Sequence, residues 1–166
     1  MADNSGAEYR QLLAGTNNSD ADLRYRFHSV NFGNMNTWVN WHLVPASRPY
    51  IEPPEVKTET LEIPGADGSL DFTGALNGVR YKDRQGTMEF IMMPGYGKWS
   101  DRYSAIMNYL QGQKMRIILD DDPTYYYYGR VSVTAFDVGD QYTTITISYF
   151  VDPYKRLISN TDTKVL

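Results

Sequence analysis

Hydrophobic and polar positions begin to alternate at Leu23. Leu23, Tyr25 and Phe27 are interleaved with Arg24, Arg26 and His28, the two-residue period of a strand with one buried face, so the folded domain is expected to start there. Trp38 to Leu43 also reads as a strand, which places both histidines of the chain, His28 and His42, in strand patterns where a lone histidine is structural. Pro45, Pro49, Pro53 and Pro54 follow. Each removes a ladder donor and biases the residue before it toward extended backbone, so this stretch is expected as a stiff connector. Lys57 to Ile63 alternates again with neither face cleanly apolar, the mark of an edge strand, and Pro64-Gly65 and Asp67-Gly68 supply turns.

Thr87 to Met93 is a short, nearly continuous apolar run, expected as a buried strand stopped by Pro94-Gly95. Then the period changes. Tyr103, Ile106, Met107 and Leu110 repeat at i, i+3, i+4 and i+7, with Ser100 as the expected cap, Asp101 at the positive end of the dipole and Gly112 past the end. The helix, about 100–111, is expected to plug the core. Met115 to Leu119, Tyr125 to Ala135 and Tyr142 to Val151 return to strand patterning as an antiparallel meander, with Ile145, Ile147 and Tyr149 facing one way and Thr144, Thr146 and Ser148 the other. The fold class expected is mainly β, an antiparallel sandwich or barrel-like domain carrying a single α-helix.

Composition narrows function more than fold. With 166 residues the chain suits one core, organised as a polar arm at 1–22, a β domain at 23–154 and a carboxy-terminal tail at 155–166. Sixteen Lys and Arg stand against twenty Asp and Glu without a basic cluster, which disfavours tight nucleic-acid binding. The absence of cysteine excludes disulfides, zinc ribbons and thiol catalysis. Residues 1–20 contain no apolar segment behind basic residues and no run reaches membrane-spanning length, so neither export by a leader nor membrane contact is expected.

Candidate chemistry is sparse. Asp120-Asp121-Asp122 lacks the spacing of a calcium loop and, followed by Pro123, is expected as a solvated hairpin turn rather than a ligand cage; Asp67 to Asp71 is judged the same way. No common catalytic or phosphate-binding template finds its residues here, and no cofactor or metal is expected. Four consecutive tyrosines, Tyr125 to Tyr128, are more unusual. Alternation sets Tyr125 and Tyr127 on one sheet face and Tyr126 and Tyr128 on the other, where one pair packs inside and the other fills an interface or stacks a sugar ring or a nucleobase. Trp38 and Trp41, three apart, fall on opposite faces of a strand.

The run from Ser47 to Thr58, SRPYIEPPEVKT, followed by Ile63 to Asp71, IPGADGSLD, resembles the amino-terminal domain of siphophage distal tail proteins. Gly78 to Tyr81, Gly86 to Phe90, the helix around Tyr103 to Gly112, the Asp121-Asp122-Pro123 hairpin with its tyrosines, and Asp152-Pro153-Tyr154 continue the likeness. The resemblance implies a non-enzymatic, tail-tube-like virion component. It implies a homohexameric ring in the phage tail tip or baseplate, built in the host cytoplasm, with the tail tube protein, a tail-tip hub protein and a receptor-binding protein as partners. DNA passes through such a ring without specific binding. Tyr50, Ile51, Pro53, Pro54, Tyr126 and Tyr128 are the expected subunit-interface residues, with the proline connector lying across the neighbouring subunit. The alternative, drawn from the tyrosines, is a carbohydrate-binding β-sandwich module of a host-recognition apparatus.

Overall fold

The computed structural model of the protein describes residues 27–75, 78–140 and 142–166, so the expected arm and most of the Leu23 strand lie outside the described residues. In chain order these form β1 (Val30–Phe32), β2 (Met35–Asn36), β3 (Leu43–Pro45), β4 (Thr60–Glu62), β5 (Ser69–Asp71) and β6 (Arg84–Met92). Helix α1 (Trp99–Leu110) precedes β7 (Lys114–Leu119), β8 (Tyr125–Val138), β9 (Thr143–Val151), β10 (Lys155–Leu157) and β11 (Lys164–Val165). The main sheet runs β2-β1-β7-β8-β9-β6-β3, antiparallel throughout, while β4 and β5 pair only with each other. It is a mainly antiparallel β fold with one helix, its sheet curled into a half-barrel.

The alternation in β9 sets the core. Ile145, Ile147, Tyr149 and Val151 point inward from β9 and meet Met88, Phe90 and Met92 of β6 and Val131 and Val133 of β8. Ile106 and Leu110 of α1 are fully buried in the same cluster, with Tyr103 and Met107 packed beside them, so the helix does plug the curled sheet. Burying each such side chain contributes about 1.5 to 3 kcal/mol. A second, smaller cluster of Phe27, Trp38, Val44 and Met93 covers the outer face at the β3 edge.

Three local expectations are corrected. Trp38 to Leu43 is a helical turn, not a strand, and only Leu43 enters a ladder. The Asn36 side-chain oxygen accepts from the amides of Trp38 and Val39 at 2.9 and 3.0 Å, and His42 N–H donates to the Trp38 carbonyl at 2.9 Å. An Asn that caps backbone amides locally competes with the ladder, and here it wins. The turn still sends Trp38 and Trp41 to different clusters. Both histidines sit outside strands at φ 51°, the left-handed region, rather than in strands. They are nonetheless packed into the structure: His28 on Asp121, and His42 stacked on Tyr96 at 3.9 Å. Ser100 does not cap α1, because the cap position is Lys98 and makes no side-chain bond. The helix start is held instead by Arg102, whose guanidinium donates to the carbonyls of Met93, Trp41 and His42.

Lys57 to Ile63 contributes β4 to a separate ribbon, not to an edge of the main sheet. Residues 155–166, expected as a tail, carry β10 and β11, and β10 extends the sheet along Tyr125 and Tyr126 of β8.

Candidate functional site

The interface residues expected from the sequence converge on one end of the sheet, where β6 starts and β9 finishes. Gly86 of β6 stands opposite Tyr149 of β9, and a Cβ there would collide with the Tyr149 hydroxyl. The ring therefore lies across the bare glycine and reaches the proline connector, where its hydroxyl accepts from the Glu52 amide at 2.9 Å. Burial pushes the pKa of that phenol up, keeping it neutral. Arg84 takes the other side of the same residue, donating to the Glu52 carbonyl at 3.3 Å and to the Pro153 carbonyl at 2.7 Å, with its guanidinium 5.3 Å from the Tyr127 ring.

These bonds fix the connector on its own chain. Ile51 is 7% exposed and belongs to the main core. Tyr50, beside it, is 60% exposed and donates its hydroxyl to Glu52 at 2.8 Å. Of the four connector residues expected at an interface, Tyr50 and Pro53 are exposed, Pro54 is half-buried and Ile51 is used inside the chain.

The tyrosine run divides as its alternation predicts, then divides again. Tyr127 packs on the core from the inner face. On the outer face Tyr126 is 4% exposed, covered by Arg116 with its guanidinium 4.6 Å from the ring, whereas Tyr128 is 40% exposed. Tyr128 does not stand alone. Arg130 follows it on the same face of β8, Phe150 of β9 lies directly opposite Arg130, and Arg116 and Lys114 line the neighbouring β7. Phe150, 52% exposed, was legible only as an alternating position in β9; its register opposite Arg130 comes from the ladder.

Asp120, Asp121 and Asp122 do form the turn between β7 and β8, with Asp121 exposed, but the turn is tied down by partners rather than simply solvated. Asp120 is buried and accepts from Ser29 and, at 3.4 Å, from Asn31. Asp121 holds His28 at 2.6 Å and Arg48 at 2.7 Å, and Asp122 holds Lys155 at 2.6 Å. One hairpin thus clamps the lead-in to β1, the connector and β10. Burial pushes the Asp121 carboxyl up, but the hydrogen bonds and charges of Arg48 and His28 outweigh it and hold the group below the usual carboxylate range. Asp120 and Asp121 share the segment around the start of β1, Asp121 also reaches Arg48 of the connector, and Asp122 faces β10.

No family model and no curated protein matches the chain. Among solved structures, the Dit (gp 19.1) protein of phage SPP1 matches with a TM-score of 0.57 over 78% of this chain, at 18% sequence identity. The two share a fold. The SPP1 protein is described as a paradigm of the hub adsorption apparatus in phages that infect Gram-positive hosts, and this chain spans 51% of its length.

Proposed function

We propose that the chain is a structural, non-enzymatic component of a phage tail. In this reading it is a distal-tail-type protein that assembles as a homohexameric ring between the tail tube and the tail-tip hub, with an axial channel for DNA. The observation that carries the reading is the fold shared with SPP1 Dit, reached independently of the ordered sequence features that resemble distal tail proteins. A ring closed by rotation uses two different patches on each subunit. Two such patches are available: the end of the sheet around Tyr50, Pro53 and Tyr128, and the projecting β4–β5 ribbon. The carbohydrate-module alternative is weakened, because Tyr126, half of the tyrosine platform it needs, is covered by Arg116.

Electron microscopy and mass measurement of the protein, alone and mixed with the tail tube and tip proteins of its particle, test the proposal. A six-fold ring in any mixture or in the native particle is expected. Monomers or two-fold dimers throughout, the particle included, would overturn it.

A further inference from the structure

The chain carries twenty Asp and Glu against sixteen Lys and Arg, yet its fold does not distribute them evenly. Met115 and Ile117 of β7, Val131 and Val133 of β8, and Ile145 and Ile147 of β9 face the core. Alternation therefore turns Lys114, Arg116, Arg130, Ser132 and Ser148 to the opposite side, where Gln85 and Thr87 of β6 continue the face. The ladder sets Lys114 directly opposite Arg130, and Lys114, Arg116 and Arg130 are all exposed. Arg116 lies over the Tyr126 ring, whereas Lys114 has no partner among the described residues. Carboxylates border this face without entering it. Glu89 lies farther along β6 and Asp137 farther along β8, Asp152 holds Arg156 at 2.9 Å, and Glu52, Glu55 and Asp83 lie beyond Phe150.

Beside Arg130 the face dips into a depression of about 410 Å³. Gln85, Thr87, Arg130, Ser132, Ser148 and Phe150 line it, and among the described residues no carboxylate does. The Ser148 hydroxyl donates to the Ser132 carbonyl at 3.2 Å, and one Arg130 nitrogen donates to the Gly112 carbonyl. A guanidinium has five N–H groups, so Arg130 keeps donors beyond that bond. Cations set among hydroxyl and amide donors are the side chains that hold the phosphate oxygens of a nucleic-acid backbone. The sequence shows no such cluster, because Lys114 and Arg130 become neighbours only through the β7–β8 register.

We infer that this face makes sequence-independent contacts to the phosphate backbone of duplex DNA, with Lys114 and Arg130 as the charge contacts and Gln85, Thr87 and Ser132 as hydrogen-bond donors. Duplex DNA is chosen over other polyanions because the chain is read as a tail component that DNA passes, so that choice rests on the proposed function. Tyr128 lies at the margin, in the patch assigned to subunit contact, and is not needed here. Backbone contacts of this kind position a duplex without reading its bases, and they weaken steeply as salt rises.

Full-length protein is titrated into a fluorescent random-sequence duplex of about 20 base pairs, and anisotropy is followed from about 50 mM salt upward. Binding at the low-salt end that fades as salt rises is expected. Lys114→Gln, altered at an exposed residue without a partner, should weaken it by on the order of tenfold and flatten the slope of log K against log salt by about 1. Lys98→Gln removes an exposed cation at the start of α1, on the other side of the sheet, and should do neither. No binding at about 50 mM salt, an unchanged slope in Lys114→Gln, or an equal loss in Lys98→Gln overturns the inference. So does binding to phosphatidylglycerol vesicles without binding to DNA. Microscopy of the particle reads the ring separately: a six-fold ring from a protein that does not bind the duplex overturns this contact and leaves the ring standing.

Discussion

The β6–β9–β8 centre of the sheet and the β4–β5 ribbon are both amphipathic and antiparallel, yet they meet opposite fates. In the centre, Phe90, Ile145 and Val131 face a helix and are fully buried. In the ribbon, Leu61 and Leu70 face nothing within the described residues and stay half exposed. Alternation records only that one face is to be covered; it does not say whether the cover comes from the same chain. Where the cover is internal, as at the centre, the region contributes to stability.

That contrast can be broken or sharpened by substitution, beginning at the centre. Leu110→Ala or Ile106→Ala should cost about 2 to 5 kcal/mol in denaturant unfolding, because both side chains are completely buried. A cost below roughly 0.5 kcal/mol would place the helix outside the core. Gly86→Ala forces the Tyr149 ring away from β6 and from Glu52, for an expected loss of about 1 to 3 kcal/mol and faster hydrogen exchange at the Glu52 amide. Tyr149→Phe keeps the ring and removes only its acceptor, so it should cost about 0.5 to 1.5 kcal/mol, with the same amide exposed.

The Asp121 clamp gives a smaller, pH-dependent effect. Its folded pKa is lowered, so its contribution is present above the ordinary carboxylate value of about 3.9 and fades as the pH falls through the folded value. Asp121→Asn should therefore be less stable than the parent at neutral pH, with the difference closing on acidification below about pH 4 in a series of unfolding curves. An unchanged difference at pH 2 would mean that the carboxylate charge plays no part. Leu61→Asp closes the series. It should change stability by less than about 0.5 kcal/mol, because Leu61 is exposed. Equal loss of stability in Leu61→Asp and Leu110→Ala would erase the distinction between the two regions.

The sequence by itself determined the elements whose cover lies nearby and whose period is long enough to read. The Ile145, Ile147, Tyr149 alternation, the Tyr103, Ile106, Met107, Leu110 stripe and the Gly112 stop all appear in the structure where their spacing put them, because strand and helix periods follow from backbone geometry alone. A local cap and contacts from distant parts of the chain decided the rest. Trp38 to Leu43 has strand-forming residues, but Asn36 captures the amides of Trp38 and Val39 and bends the chain into a turn. Nothing local distinguishes Tyr126 from Tyr128, two positions apart on one face; Arg116 from the adjoining strand covers the first and leaves the second exposed. Asp120, Asp121 and Asp122 read as a solvated turn until Ser29, Arg48, His28 and Lys155 arrive from distant parts of the chain. Polar and aromatic side chains on a sheet face take their roles from whichever strand, loop or neighbouring molecule comes to lie beside them, and that is a property of the fold rather than of the residue.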